Sequence, residues 1–433
     1  MPKLYMHALG CKTNHYENQA LTKQLEEAGF TLTQNIEDAD VGILNTCTVT
    51  AEAGRKSRQY LRRMKKQNSN ILSVAMGCHS QLEDLSEIAD LVIGTTNRNN
   101  LLELISKHLN FYDEDFSIEL EDDLRPIGRP SKETEYEELG IVTSQENTRA
   151  EIKIQDGCNA FCTYCAIPLA RGRVRSRSRA NIIREAELLV ENDHKEIVLT
   201  GIHICSFEKE LGKTSVALAE LCLELNEIKG LERIRLGSLE PLSVNKEFLE
   251  QLRKAEKVVP HFHLSLQSGS DSVLKRMRRE YTTIEYRKVV DNIREIYEEP
   301  AITTDIMVGF PEETEAEYNE SLNFIEEIEF SQIHVFPYSV RPGTKAARMQ
   351  QVPAEDVKKR SEIMLEKAEK LQSEYAKKFL GKEVRVVLED NVDNYIRGFT
   401  DRYLRVYLPE ETGHSGQVKN VFIRKVEKGD LFV

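Results

Sequence analysis

No apolar run in this 433-residue sequence approaches the roughly 20 residues needed to cross a bilayer. The opening MPKLYMHALG lacks a basic flank followed by a long apolar stretch, so no secretory signal is expected and the cytoplasm is the expected compartment. Tryptophan is absent, which says nothing about function. Cysteine is missing from almost half the chain: none lies beyond Cys222. The eight cysteines, Cys11, Cys47, Cys78, Cys158, Cys162, Cys165, Cys205 and Cys222, argue against a disulfide framework in a chain of this length without a secretion signal. Positive charge is also short, with 59 Lys and Arg against 72 Asp and Glu and a formal net charge of −13. Overall charge therefore does not favour nucleic acid, whose binding rests on local excess of Lys and Arg. Such excess does occur in GRKSRQYLRRMKKQ (Gly54–Gln67) and ARGRVRSRSRA (Ala170–Ala180). Each reads equally as a phosphate-binding surface or as a solvated face.

Hydrophobic patterning divides the rest. From Lys3 to about Leu109, the apolar runs LYMHAL, DVGILN, ILSVAM and LVIG alternate with helical patterns such as YENQALTKQLEEAGF, which predicts an open α/β sheet. The stretch from about Phe111 to Arg149 is acidic, then rich in Pro, Gly and Ser, and reads as a linker with room for an added hairpin. From Ala150 to about Gln350, six strands are expected: EIKIQ, EIVLTG, RIRLGS, FHLSLQ, ITTDIMVG and QIHVFPY. Helical stretches separate them, which suits a parallel sheet curved into an incomplete barrel; a full eight-unit barrel typically needs about 250 residues. A long charged helix, AEDVKKRSEIMLEKAEKLQSEYAKKFLG, leads to an all-β end from Lys382 to Val433, the pattern of a small β-barrel of the kind that binds RNA. The expected segments are thus 1–112, 113–147, 148–370 and 371–433.

Two groups of three cysteines stand out against this frame. Cys11 follows LYMHAL, Cys47 follows DVGILN and Cys78 follows ILSVAMG, so all three sit just beyond the carboxyl ends of parallel strands, where open α/β sheets bind ligands. They can converge on one metal centre, or they can be three ordinary buried cysteines. The second group lies in DGCNAFCTYC (Asp156–Cys165), after the first strand of the next α/β segment. Three thiolates in so short a loop can hold three corners of a cubane iron–sulfur cluster and leave one iron open. A structural zinc site wants four closed ligands, and would need a distant fourth such as His203 or Cys205. His7 and His79 adjoin the first group and read as neighbours rather than ligands. Cys222 reads as core, and Cys205 is given no role.

CxxxCxxC with Tyr164 before its last cysteine resembles the signature of radical S-adenosylmethionine (SAM) enzymes. LGCKTNHYEN, NTCTVT and GCHSQ resemble the N-terminal cysteine motifs of the methylthiotransferases in that superfamily. IPLARGRVRSR, LGSLEP, LSLQSGSDSVLKRMRREYT and TTDIMVGFPEETEAEY resemble blocks of their radical core, and the C-terminal β segment resembles their RNA-binding TRAM domain. The likeness runs nearly end to end, with the motifs in the same order. GCKTNHYEN is closer to the bacterial branch acting on N6-threonylcarbamoyladenosine at position 37 of tRNA than to the branch acting on isopentenyladenosine; the branch acting on a ribosomal-protein aspartate is a further comparison.

The resemblance implies an α/β chain with an N-terminal methylthiotransferase domain, a partial (β/α)6 radical SAM barrel and a small all-β TRAM barrel. It implies that Cys158, Cys162 and Cys165 hold a SAM-cleaving 4Fe–4S cluster. Cys11, Cys47 and Cys78 would hold a second, whose open iron can carry sulfur. One SAM would methylate that sulfur and another would supply the radical that takes hydrogen from C2 of adenine. Tyr164, Thr200, Gly201, Glu240, Gln267 and Asp305 are candidate SAM-pocket residues, with Val308 and Phe336 packing on adenine; turn or barrel roles are the competing readings. Arg55, Lys56, Arg58, Arg62 and Arg63 are candidate contacts to the tRNA anticodon stem-loop. Arg171, Arg173, Arg175 and Arg177 read as contacts to tRNA phosphates, as partners of the SAM carboxylate, or as structural ion pairs. An electron donor and a sulfur source are implied as further partners, and no membrane. A non-catalytic iron–sulfur RNA-binding sensor is the alternative of another class.

Overall fold

The computed structural model describes residues 1–109, 130, 135–143 and 148–433. The acidic stretch 113–123 and most of the expected linker 113–147 lie outside the described residues. The chain forms two compact units. One comprises Met1–Val142, Gln155–Arg177 and Ser339–Ala347; the other comprises Thr143–Ile154, Ser178–Tyr338 and Arg348–Val433.

The first unit is built on strands β1 (Lys3–Ala8), β2 (Thr31–Leu32), β3 (Val41–Thr46), β4 (Leu72–Gly77) and β5 (Leu91–Val92), with helices α1 (Lys12–Glu27), α2 (Ala51–Gln67), α3 (Cys78–Leu82) and α4 (Leu101–His108). The five strands pair in parallel in the order β2-β1-β3-β4-β5. The four expected strands are present, and the short edge strand β2 is an addition the sequence pattern had not singled out. Every residue of β3 and β4 is buried, as expected of central parallel strands covered on both faces. Register sets where the strands stop. Ala8 pairs with Asn45 and Thr46 with Gly77, so β1, β3 and β4 end level with one another. The same unit takes in the carboxyl end of β6 (Arg149–Asp156), helix α5 (Ile167–Arg171) and β7 (Arg175–Ser176), where Asp156 pairs antiparallel with Arg175.

In the second unit the chain alternates through α6 (Arg179–Glu191), β8 (Glu196–Gly201), α7 (Val216–Asn226), β9 (Arg233–Leu236), α8 (Lys246–Leu252), β10 (His261–His263), α9 (Asp271–Met277), α10 (Thr283–Ile296), β11 (Ala301–Val308), α11 (Glu315–Ile328) and β12 (Gln332–Pro337). Strand order is β6-β8-β9 and β10-β11-β12, and single parallel bridges, Ile234 to Val258 and Leu239 to Leu264, link the two runs. All six expected strands are there, and one apolar core fills the space they curve around, from Ile152 through Leu199, Leu236 and Phe262 to Ile306. Helices α10 and α11 start at capping boxes, Thr282 with Glu285 and Thr314 with Glu317, so their free amides are satisfied locally.

Helix α12 (Ala354–Lys377) then leads to β13 (Glu383–Val392), β14 (Tyr395–Thr400), β15 (Arg405–Pro409), β16 (Val418–Phe422), β17 (Lys425–Glu427) and β18 (Asp430–Phe432). They form a six-stranded sheet in the order β16-β13-β14-β15-β18-β17, antiparallel except between β15 and β18. This sheet is pinned to β9 by two arginines. Arg233 donates to the carbonyls of Arg385 (2.6 Å) and Phe399 (3.1 Å), and Arg235 to those of Asp401 (3.0 Å) and Thr400 (3.2 Å). Glu196, fully buried at the start of β8, neutralises both, lying 2.6 Å from Arg235 Nε and 3.4 Å from Arg233 Nη1.

Replacing Glu196 with alanine strands two buried guanidiniums and is expected to destabilise this unit by about 3–5 kcal/mol. Urea unfolding checks the loss, and faster hydrogen exchange in β13–β15 locates it. Burial pushes the Glu196 carboxyl up, but Arg235 and Arg233 outweigh it and hold it below the usual carboxylate range. Its contribution is therefore present at neutral pH and is lost as pH falls below that range, whereas the alanine variant lacks this acid-sensitive component.

Candidate metal centre

Because β1, β3 and β4 end level, Cys11, Cys47 and Cys78 leave the sheet along one edge of the first unit. Cys11 is the cap residue of α1, Cys47 directly follows β3, and Cys78 opens α3. Gly10 holds φ +101, and a Cβ there would lie 2.5 Å from the Cys47 sulfur, so only glycine lets the backbone before Cys11 pass this close to Cys47. Cys47 and Cys78 are buried and Cys11 is half-buried; all three are free thiols. Burial chiefly raises the Cys47 thiol, with Cys11 adding to it, and Cys11 and Cys47 both add to the rise at Cys78. Burial pushes the Cys78 thiol up to about 12, and Arg171 pulls the other way, with its Nε 3.1 Å from the sulfur.

The CxxxCxxC loop belongs to the same unit. Gly157 opens it at φ +70, and a Cβ there would lie 1.8 Å from the carbonyl oxygen of Arg173. The Cys158 amide donates to the Gly172 carbonyl (3.1 Å), the Cys165 amide to the Cys162 carbonyl (3.1 Å), and the Ala160 amide to the Cys158 sulfur (3.4 Å). Phe161 adopts φ +46, uncommon for a bulky residue, and lies 4.9 Å beneath the Arg173 guanidinium. Cys158, Cys162 and Cys165 are all half-buried, as is Tyr164.

Helix α5, which follows the loop, packs on the edge that carries the first cysteine group. The Thr95 hydroxyl donates to the Ala170 carbonyl (2.6 Å), and Arg171 reaches Asn14, Glu17 and Cys78. The segment Ser339–Ala347 touches both groups. Ser339 accepts from the Ala51 amide (2.9 Å), Arg341 donates to Thr48 (2.7 Å), and the Ala346 amide donates to the Thr163 carbonyl (2.9 Å). Arg341 Nε is buried and has no hydrogen-bond partner among the described residues. Asn14, Glu17 and Asp156 lie inside the quoted cysteine motifs but were not singled out by sequence reasoning; they are completely or almost completely buried. Their signal was present, since Asn14 and Glu17 put polar side chains on the inward face of α1. Arg341 had only a Pro-Gly turn beyond a strand end to mark it.

The donors fit thiolate-held iron–sulfur clusters. Both sites offer three soft sulfur ligands, the first flanked by a buried guanidinium with an unfilled donor. The zinc reading needs a distant fourth ligand beside three cysteines. Its proposed fourth ligands are engaged elsewhere. The His203 ring bonds Ser206 (2.8 Å), and the buried Cys205 sulfur accepts from the Glu240 amide (3.4 Å). His7 stacks on Tyr60 at 4.4 Å, and His79 pairs with Arg58 (3.0 Å). Cys222 lies in the core.

The remaining candidates for SAM contact lie on or just beyond strands of the second unit. Thr200 and Gly201 end β8, and Glu240 follows β9, bound by Arg279 (2.8 Å). Gln267 follows β10 at φ +71, its amide donating to the Asp305 carbonyl (2.8 Å). Asp305 on β11 pairs with His263 (3.2 Å), and half-buried Phe336 is on β12. Val308 does not fit its expected role. It is 1% exposed, with its side chain packed into the barrel core, and presents no face to an adenine.

The basic candidates divide. Arg55, Lys56, Arg62 and Arg63 are exposed on α2, which buries Gly54, Ser57, Leu61 and Met64 on its other side. Arg55 is paired with Glu52 and Arg58 with Glu83, and Arg173 is half-buried over Phe161. Arg171 cannot meet tRNA, because it is completely buried among Glu17, Asp156, Asn14 and Cys78. Arg175 and Arg177 are buried too, paired with Asp156 and Glu138.

Residues 152–325 match the Radical SAM superfamily model, and residues 3–94 match Uncharacterized protein family UPF0004. The threonylcarbamoyladenosine tRNA methylthiotransferase MtaB of Bacillus subtilis is 37% identical, covering 98% of this chain and 94% of its own. A tRNA-2-methylthio-N(6)-dimethylallyladenosine synthase of Thermoanaerobacter sp. is 36% identical over 89% of this chain and 82% of its own. Among solved structures, the radical SAM methyltransferase TsrM of Kitasatospora setae shares the fold with a TM-score of 0.60 at 15% identity, covering 80% of this chain and 75% of its own.

Gly157→Ala is expected to push the Arg173 carbonyl out of place and open the loop that carries Cys158, Cys162 and Cys165. After anaerobic reconstitution, the variant should hold roughly half the iron of the parent, the share of one of two clusters. Iron and sulfide analysis checks this.

Proposed function

We infer the function from membership: the chain belongs to the radical SAM methylthiotransferase family, with relatives 34–37% identical over nearly its whole length. It is a tRNA methylthiotransferase that replaces the C2 hydrogen of N6-threonylcarbamoyladenosine at position 37 with a methylthio group. The substrate reading is supported by the relatives named for threonylcarbamoyladenosine, which match 91–98% of the chain. Relatives named for dimethylallyladenosine keep the second acceptor as the alternative.

The single observation behind the two-centre reading is that both three-cysteine groups lie in one compact unit, where Arg171, six residues after the second group, bonds the Cys78 sulfur of the first. With 4Fe–4S clusters bound at the two groups, SAM would supply both the methyl group and the radical, and the first group's cluster would present the sulfur. Cys158, Cys162 and Cys165 would hold one cluster, and Cys11, Cys47 and Cys78 the other. Thr200, Gly201, Glu240, Gln267, Asp305 and Phe336 of the second unit are taken as SAM contacts. Thr200 and Gly201 at the end of β8, Gln267 beyond β10 and Asp305 within β11 offer backbone and side-chain acceptors to a cationic amino group and a ribose.

The exposed basic side chains of α2, Arg62 and Arg63 above all, are taken as the anticodon stem-loop contact. The four segments 1–112, 113–147, 148–370 and 371–433 are retained as domains, with the last as an RNA-binding module. No helix among the described residues is long and apolar enough to cross a membrane. A cytoplasmic location, an electron donor and a sulfur source complete the proposal.

Anaerobic reaction of the reconstituted chain with SAM, reductant and tRNA carrying threonylcarbamoyladenosine should yield a nucleoside heavier by one CH₂S unit on mass spectrometry. Replacing Cys11, Cys47 and Cys78 with alanine should abolish that product while SAM cleavage persists. If isopentenyladenosine tRNA reacts and threonylcarbamoyladenosine tRNA does not, the substrate assignment is wrong and the radical chemistry stands. Replacing Arg62 and Arg63 with alanine should weaken tRNA binding and lower the log–log salt slope by about 1–2; an unchanged slope removes them from the interface.

A further inference from the structure

Arg171 is completely buried, and its hydrogen bonds run in several directions. Nε lies 3.1 Å from the Cys78 sulfur; Nη1 reaches Glu17 Oε1 (2.7 Å) and both Asp156 oxygens (3.1 and 3.2 Å); Nη2 reaches Asn14 Oδ1 (2.7 Å) and Glu17 Oε2 (3.0 Å). Its partners are placed where the cysteines are. Asn14 and Glu17 sit in the first turns of α1 after Cys11, Asp156 ends the strand before Cys158, and Cys78 is itself one of the thiols. A cation in this position does more than close a charge network. A hydrogen bond to a ligating sulfur is one of the levers that set the potential of a cluster, and burial strengthens it.

We propose that Arg171 is a positioning residue for the centre held by Cys11, Cys47 and Cys78: its Nε–H···Sγ bond orients the Cys78 ligand and stabilises the charge gained when that centre is reduced, while Glu17, Asn14 and Asp156 hold the guanidinium in register with both cysteine groups. This rests on the reading that those three cysteines bind a cluster.

The test uses the full chain carrying Cys158→Ala, Cys162→Ala and Cys165→Ala, so that one centre alone is loaded. Into this parent go Arg171→Lys, which keeps the charge without the planar fork, and the pair Arg171→Met with Glu17→Gln, which removes a cation together with a carboxylate. Iron and sulfide content and the reduction potential, followed by electron paramagnetic resonance, are read on each. Both variants should retain the parent's iron and show a more negative potential. An unchanged potential in both overturns the proposal. So does loss of iron from both with circular dichroism unchanged, which would make Arg171 scaffold alone. A parent that binds no iron overturns the underlying reading of Cys11, Cys47 and Cys78, an outcome distinct from the other two.

Discussion

A guanidinium sealed from water cannot stand alone, and the first unit is organised around meeting that demand. Arg171 has no exposed surface, so the cost of desolvating it must be offset by fixed partners. Two carboxylates, one amide oxygen and one thiol provide them, drawn from α1, α3 and the end of β6. Each carboxylate is constrained in turn: Glu17 also pairs with Arg98 (2.7 Å), and Asp156 with Arg175 (3.2 Å). Removing either carboxylate leaves buried positive charge uncompensated, so these segments hold one another in place. The thiols of the two cysteine groups are carried on or beside those same segments, which makes the charge network and the candidate centre a single arrangement.

The second unit repeats the device for another purpose. Glu196 neutralises Arg233 and Arg235, and those arginines direct their remaining donors to backbone carbonyls of the C-terminal sheet. Arginine suits this task because its fork of donors reaches a carboxylate and several carbonyls at once. In both units a buried ionic cluster fixes where a sheet or loop sits, while the apolar cores supply the bulk of the burial.

Parallel strands put chemistry at one end. In the first unit, level strand ends bring Cys11, Cys47 and Cys78 to one edge although they are far apart in sequence. Glycine controls the approach: Gly10 lets the loop after β1 come against Cys47, and Gly157 lets the second cysteine loop fold under the Arg173 carbonyl. In the second unit, the same logic places Thr200 and Gly201 at the end of β8 and Gln267 beyond β10.

Period and spacing were enough to read the alternation of strands and helices and the two cysteine groups, and the family followed from the resemblance of the motifs around them. These are local signals: a buried parallel strand is a short apolar run, and three ligands in one loop must lie close in sequence. Tertiary structure alone decided the arginines. ARGRVRSR reads as a basic stretch whose side chains could face solvent, yet Arg171, Arg175 and Arg177 are all enclosed, because their carboxylate partners Glu17, Asp156 and Glu138 come from elsewhere in the fold. Val308 was misplaced for a related reason. A strand end shows that a residue is near the rim, but alternation and curvature decide whether its side chain points into the core. Arg341 entered the site only because the segment after β12 folds beside Thr48. Sequence determines which groups can ionise or ligate; which of them lose water, and against what partner, is set by contacts between residues far apart along the chain.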